Sequence, residues 1–214
     1  GKFIQRDAVV SRRKHTREYV TFVNPRPEKG AYIVALVAHL LSKRDSSIKF
    51  LVVDSRGRWA DVIKAVSEQC GLKSTDWCNV RVMESTTDMA SVYAQTSVLF
   101  APSLWFESGS RVMTEALLNS IPVIATDHGG NREIVSDAGL LFKLPEKCHR
   151  RPYTTVPSQQ TLEGIANLIV GLLSDRARYQ ALSERALQVA REKHSIQTST
   201  QKLIDALRPL IRQK

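Results

Sequence analysis

Two carboxylates, Glu107 and Glu115, stand with seven residues between them on either side of a small-residue turn, Ser108-Gly109-Ser110, which runs straight into the apolar-periodic segment RVMTEALL. A helix that begins near Ser110 carries Glu115 on its second turn and leaves Glu107 in the preceding loop, so both acids can border one pocket. Between them lie the first N–H groups of that helix, which have no intrahelical acceptor and make an anion site. Carboxylates accept hydrogen bonds from hydroxyls, and a helix start holds phosphate. Together they suit a ligand with hydroxyls at both ends and a diphosphate in the middle, a sugar nucleotide. The plainer alternative is a loop acid in solvent at Glu107 and an ordinary surface acid at Glu115.

The elements that must position these groups alternate in type. Tyr19–Val23 (YVTFV) is β-branched and aromatic and predicts a buried strand, followed by the turn Asn24 to Gly30 and a helix over 30–44. Further strands are predicted over 48–53, 80–83, 97–101, 122–126 and 139–142, and helices over 59–69, 88–93 and 110–118 and after Gly129-Gly130. Residues 143–160 read as an exposed loop, with helices at 161–173, 176–192 and 195–212, the last broken or bent at Pro209. Continuous apolar strands separated by helices and short loops mean an α/β fold, a Rossmann-like parallel sheet with helices on both faces. Ligands of such sheets bind beyond the carboxyl ends of the strands, and Lys29, Glu107 and Gly129 all follow such ends.

Pro102-Ser103, the Glu107 and Glu115 pair, Ala116-Leu117, Pro122-Val123, Gly129-Gly130 and Glu133 resemble, in this order, the donor-binding half of retaining GT-B glycosyltransferases, family four, the glycosyl transferases group 1. The resemblance runs with decreasing strength from about Tyr19 to about Lys193. It implies one half of a GT-B fold, with a basic linker or arm over 1–18, a nucleotide-sugar-binding domain over 19–193 and a C-terminal helix over 194–214 that in the family crosses back to the other domain. It also implies catalytic roles for Glu107, which would hold hydroxyls of the transferred sugar, and for Lys29 and Arg26, which would reach the donor diphosphate. Lys29 matches directly within Pro-Glu-Lys-Gly, whereas Arg26 matches only if the loop is one residue shorter, and Asn24 stands where the family has glycine.

The donor-binding residues implied are Glu115 on the ribose hydroxyls, Ser108, Gly109, Ser110 and Arg111 at the sugar and diphosphate, Met83 and Glu84 beside the nucleobase, and Gly129 and Gly130 in a tight turn near the sugar. Glu133 is read as mainly structural. Two departures stand out: Ser108-Gly109-Ser110 replaces the more frequent Gly-Phe-Gly, and Asp54-Ser55-Arg56-Gly57 replaces a glycine-rich turn. The implied reaction is transfer of a hexose-type sugar to an acceptor hydroxyl with retained configuration. No Asp-x-Asp occurs, and the expectation is transfer without a metal or other cofactor.

Across 214 residues the chain has 43% hydrophobic and 24% charged residues, ordinary for a globular protein, and is long enough for a substantial core. No apolar run approaches a membrane span. The chain opens on Gly1 without Met, which reads as an excised or processed piece; the resemblance implies an N-terminal acceptor domain elsewhere, and with it the expectation that the chain alone does not transfer sugar. Cys70, Cys78 and Cys148 are odd in number and contain no CxxC pair, which points to a reducing, cytoplasmic setting. The net charge of +10, from 31 Lys and Arg against 21 Asp and Glu, favours anionic partners. Charge alone does not choose among nucleotide phosphates, nucleic acid and an acidic membrane surface; the resemblance implies a nucleotide diphosphate sugar and no nucleic acid. The arm (Lys2, Arg6, Arg12, Arg13, Lys14, Arg17) could contact anionic lipid, peripheral to the inner face of a membrane, or RNA, with a poorly ordered terminus as the plainer reading.

Other chemistries lack their residues. There is no G-x-G-x-x-G after the first strand, no G-x-x-x-x-G-K-[ST], no H-E-x-x-H and no G-x-S-x-G. Asp127-His128 could mimic a catalytic pair, but neighbours in sequence seldom hydrogen-bond as one. Two rivals remain, a sugar-nucleotide epimerase built on the same half-fold and a basic module that binds RNA or lipid without catalysis.

Overall fold

The structure, a computed structural model, describes residues 14–194 and 196–211. The basic residues of the arm before Lys14 lie outside this range. The arm's end is tied down: the N–H groups of Thr16 and Glu18 donate to Ala94 and Gln95 carbonyls, and Arg17 donates to the Ser120 carbonyl at 3.1 Å and the Tyr179 hydroxyl at 2.6 Å.

Six parallel strands form one sheet in the order β3-β2-β1-β4-β5-β6. They are β1 (Tyr19–Val23), β2 (Lys49–Val53), β3 (Val80–Met83), β4 (Thr96–Ala101), β5 (Val123–Thr126) and β6 (Gly139–Phe142). The crossovers are α1 (Ala31–Arg44), α2 (Trp59–Cys70), α3 (Met89–Gln95), α4 (Arg111–Leu118) and α5 (Asn131–Val135). After a 3-10 turn at Glu146–His149 come α6 (Gln159–Ser174), α7 (Arg176–His194) and α8 (Ile196–Ile211). This is the Rossmann-like order, and its switch point lies between β1 and β4.

The period-2 pleat explains how one strand feeds two cores. Val20, Phe22, Phe50, Val52, Val98, Phe100 and Ile124 point to the face covered by α1, α2 and α6, where Ile33, Val37, Leu41, Ile165 and Ile169 are buried. Leu99, Val123 and Ala125 point the other way, onto Met113, Ala116 and Leu117 of α4 and Ala186, Val189 and Ala190 of α7. Each large apolar side chain so buried contributes about 1.5–3 kcal/mol. With both faces covered, the strands have no polar side to show, and they read as the continuous apolar runs seen in the sequence.

Two local expectations change. The helix at the C-terminus runs on through Pro209 to Ile211 instead of breaking there; the missing N–H removes one backbone bond near the helix end without ending the helix. The loop expected over 143–160 contains a helical turn whose Cys148 is fully buried in the main core. Helix α8 leaves Leu203, Ile204 and Leu207 exposed.

Candidate active site

The loop after β1 brings Lys29 to the carboxyl end of the sheet by a tight route. Gly30 has φ +83°, and a Cβ there would lie 2.1 Å from the Pro102 carbonyl oxygen, so only glycine lets the loop close on the segment after β4. The Glu28 carbonyl accepts from the N–H of Leu104 at 2.9 Å, which stitches the two loops together.

Lys29 Nζ is thereby paired directly with Glu107 Oε2. Trp105 Nε1 donates to the same oxygen at 3.1 Å, and the lysine ammonium lies 5.3 Å from the centre of the Trp105 ring. Glu107 is only 7% exposed. Its backbone is held from the other side: Gly130 N–H donates to the Glu107 carbonyl at 2.6 Å, and a Cβ on Gly129 would come within 2.7 Å of Glu107 N. Gly129 and Gly130 therefore form the floor against which Glu107 is set.

Helix α4 starts as the sequence predicts. Ser110 is its N-cap, with Oγ accepting from Met113 N–H at 3.4 Å. The N–H groups of Arg111 and Val112 remain at the helix start, where the dipole favours an anion. A cleft of about 180 Å³ lies between β1 and β4, bordered by Asn24, Lys29, Glu107, Gly109, Ser110 and Arg111. That volume is below the roughly 300–1,000 Å³ of a complete small-molecule site.

Glu115 sits differently from the surface acid of the plainer reading. It is 4% exposed, and both carboxylate oxygens are engaged: Tyr93 donates its phenol to Oε2 at 2.7 Å, and Arg111 Nε reaches Oε1 at 3.1 Å. Burial, and after it the Glu115 charge, push the Tyr93 phenol above the ordinary tyrosine range, so it stays a donor at any working pH. Glu115 does not border the cleft directly; Arg111, with its side chain 62% exposed, lies over it.

The remaining predicted residues divide. Ser108 is exposed beside the floor. Arg26 does not border the cleft and pairs with Glu28 at 2.6 Å. Met83 packs against Tyr19, Leu51, Val53 and Val92, with its carbonyl accepting from Asp54 N–H at 2.9 Å, and Glu84 is exposed beyond the end of β3. Asp127 and His128 do not form a pair: Asp127 binds Arg132, with one contact at 3.0 Å, while His128 stacks on His149 at 3.9 Å between ring centres.

The structure adds residues that the sequence did not single out. Trp105 and Phe106, 44% and 71% exposed, form an aromatic edge next to Glu107, and Phe106 meets His128 edge-on at 5.8 Å. His149 joins from the distant 3-10 turn, with Nδ1 at 2.9 Å from the Leu104 carbonyl. Burial, then the facing His149, hold the His128 imidazole below its ordinary value. Adjacent exposed aromatics beside an acid were a readable signal in Trp105-Phe106; nothing near His149 in sequence announced its place. Among the described residues no group of three or more His, Cys, Asp or Glu could hold a metal ion. No helix among them is long and apolar enough to cross a membrane.

A six-stranded parallel sheet covered by helices on both faces, with a cleft at its switch point, defines the Rossmann-like α/β class. Within it, this chain belongs to the glycosyl transferases group 1 family, whose sequence profile matches residues 4–189. Among solved structures it is similar to TarM of S. aureus, at 20% identity and a TM-score of 0.70, over 92% of this chain and 36% of that one. It is also similar to HepE from Anabaena in complex with UDP-glucose, at 22% identity and TM-score 0.65, over 91% of this chain and 49% of that one. A glycosyltransferase from Rickettsia africae aligns at 16% identity and TM-score 0.67, over 98% of this chain and 55% of that one. No curated protein matches. The chain thus has the Rossmann-like fold of one half of a GT-B enzyme and spans about a third to a half of these proteins.

Proposed function

We propose that the chain is the nucleotide-sugar-binding half of a retaining glycosyltransferase that moves a hexose-type sugar to an acceptor hydroxyl. One observation carries the reading: Lys29, Glu107 and the first N–H groups of α4 meet around one cleft at the switch point of the sheet. Lys29 and the helix start stabilise the charge that grows on the departing diphosphate, preorganised donors of a kind whose loss costs on the order of 10²–10³ in rate. Glu107 accepts hydroxyls of the transferred sugar. Arg111 turns from Glu115 to the diphosphate when the donor binds, and Glu115 then accepts the ribose hydroxyls at the oxygen Arg111 released. Met83 and Glu84 flank the nucleobase, and Arg26 reaches the diphosphate only after leaving Glu28. In this reading Lys29 and the N–H groups at the start of α4 take the place of a divalent ion at the diphosphate.

Partner and place follow from the same reading. The acceptor site and a base belong to an N-terminal domain, onto which the exposed apolar face of α8 docks. The basic arm gives peripheral contact with an anionic membrane on the cytoplasmic side. UDP-glucose and UDP, bound in structures of HepE, are the natural first probes. Calorimetric titration of the 214-residue chain with UDP, UDP-glucose, GDP and GDP-mannose is expected to give weak binding of one pair and no sugar transfer. Absence of binding by all four, or steep salt-dependent RNA binding that survives Glu115→Ala and Lys29→Ala, contradicts it.

A further inference from the structure

Asn24 closes β1 at the wall of the cleft, and two features set it apart from a residue placed for stability. Its φ is +67°, the left-handed region that a side chain disfavours. Its Oδ1 is buried with no hydrogen-bond partner among the described residues, although Asn24 borders the same cleft as Lys29 and Glu107. The backbone at this position is fully used without the side chain: Asn24 N–H donates to the Val53 carbonyl at 2.9 Å and the Asn24 carbonyl accepts from Arg26 N–H at 2.8 Å. Glycine would keep both bonds, relieve the backbone and remove the orphan oxygen.

We propose that Asn24 is a specificity-determining ligand contact, its Oδ1 accepting a hydrogen bond from a hydroxyl of the bound nucleotide sugar. This rests on the donor-binding reading of the cleft. The orphan atom is an acceptor, so a donor must satisfy it. Diphosphate oxygens are acceptors and cannot, whereas the ribose and sugar hydroxyls can. Rotation about the side chain's first torsion to another staggered position carries the whole carboxamide, Oδ1 included, to the cleft side and leaves no polar atom behind. The amide is uncharged, which lets it sit near the diphosphate without repelling it, and it reads the presence of a hydroxyl at a fixed place.

The test is Asn24→Gly in the full chain, a substitution the left-handed backbone welcomes, titrated with the nucleoside diphosphate and its sugar nucleotide, UDP with UDP-glucose or GDP with GDP-mannose, and melted without ligand. The expected result is about 5–15-fold weaker binding, one hydrogen bond's worth, together with a Tm that stays or rises. Loss for both ligands assigns the hydroxyl to the ribose; loss for the sugar nucleotide alone assigns it to the sugar. Affinities within about twofold of the unsubstituted chain for both ligands, or a Tm that falls, overturn the contact and leave the donor-binding reading standing. No binding of either pair by the unsubstituted chain overturns both.

Discussion

Lys29 and Glu107 are ion-paired across the mouth of the cleft, although 78 positions separate them in the chain. The pair holds the loop after β1 against the loop after β4. Lys29→Ala removes the ammonium that Glu107, 7% exposed, is paired with. We expect a loss of about 1–3 kcal/mol in chemical denaturation and at least about tenfold weaker binding of a nucleoside diphosphate. The double substitution Lys29→Met with Glu107→Gln should recover part of the stability and none of the binding.

Tyr93 and Glu115 form a second fixed relationship, 2.7 Å from phenol to carboxylate inside the α4 side of the core. Tyr93→Phe keeps the ring and removes the donor to a buried charge. The expected cost is about 1.5–3 kcal/mol; at roughly 2–4 °C per kcal/mol for a domain of this size, thermal melting reads it directly. An unchanged Tm would mean that water replaces the phenol at Glu115.

Gly30→Ala places a Cβ 2.1 Å from the Pro102 carbonyl on a backbone with φ +83°. Neither the carbonyl nor the loop can yield without undoing the Lys29 placement. A loss of about 3 kcal/mol or more is expected, visible as a lower denaturation midpoint.

His128 gives a pH prediction with a definite sign. Its folded value is lowered by burial and by His149, so the unfolded chain takes up the proton more readily. Neutral His128, stacked on His149, stabilises the fold above about pH 6.5, the unfolded value, and that stability is lost as pH falls below it. His128→Phe should flatten the decline of Tm between pH 7 and pH 5; an unaltered slope would contradict the stacking account.

The sequence made local geometry legible wherever it depends on near neighbours. The small-residue turn, the Ser110 cap and the placement of Glu115 inside α4 follow from helix periodicity, and the apolar strands give the parallel sheet. Partners that meet through the fold were not legible. Tyr93 reaches Glu115 from the end of another crossover, His149 reaches the rim from a turn 45 positions after Leu104, and Arg26 is diverted by Glu28 two positions on. Pro209 shows the converse: a strong local breaker signal yields where one lost backbone bond is all it costs.

The most direct measurement is a crystal structure of the chain with its nucleoside diphosphate bound. The diphosphate should lie in the cleft between β1 and β4, with oxygens within hydrogen-bond distance, about 2.7–3.2 Å, of Lys29 Nζ and of the backbone N–H groups of Arg111 and Val112, and with Arg111 turned away from Glu115. A nucleotide seated instead in the open groove beside Trp59, Trp77 and Val82 would contradict the account.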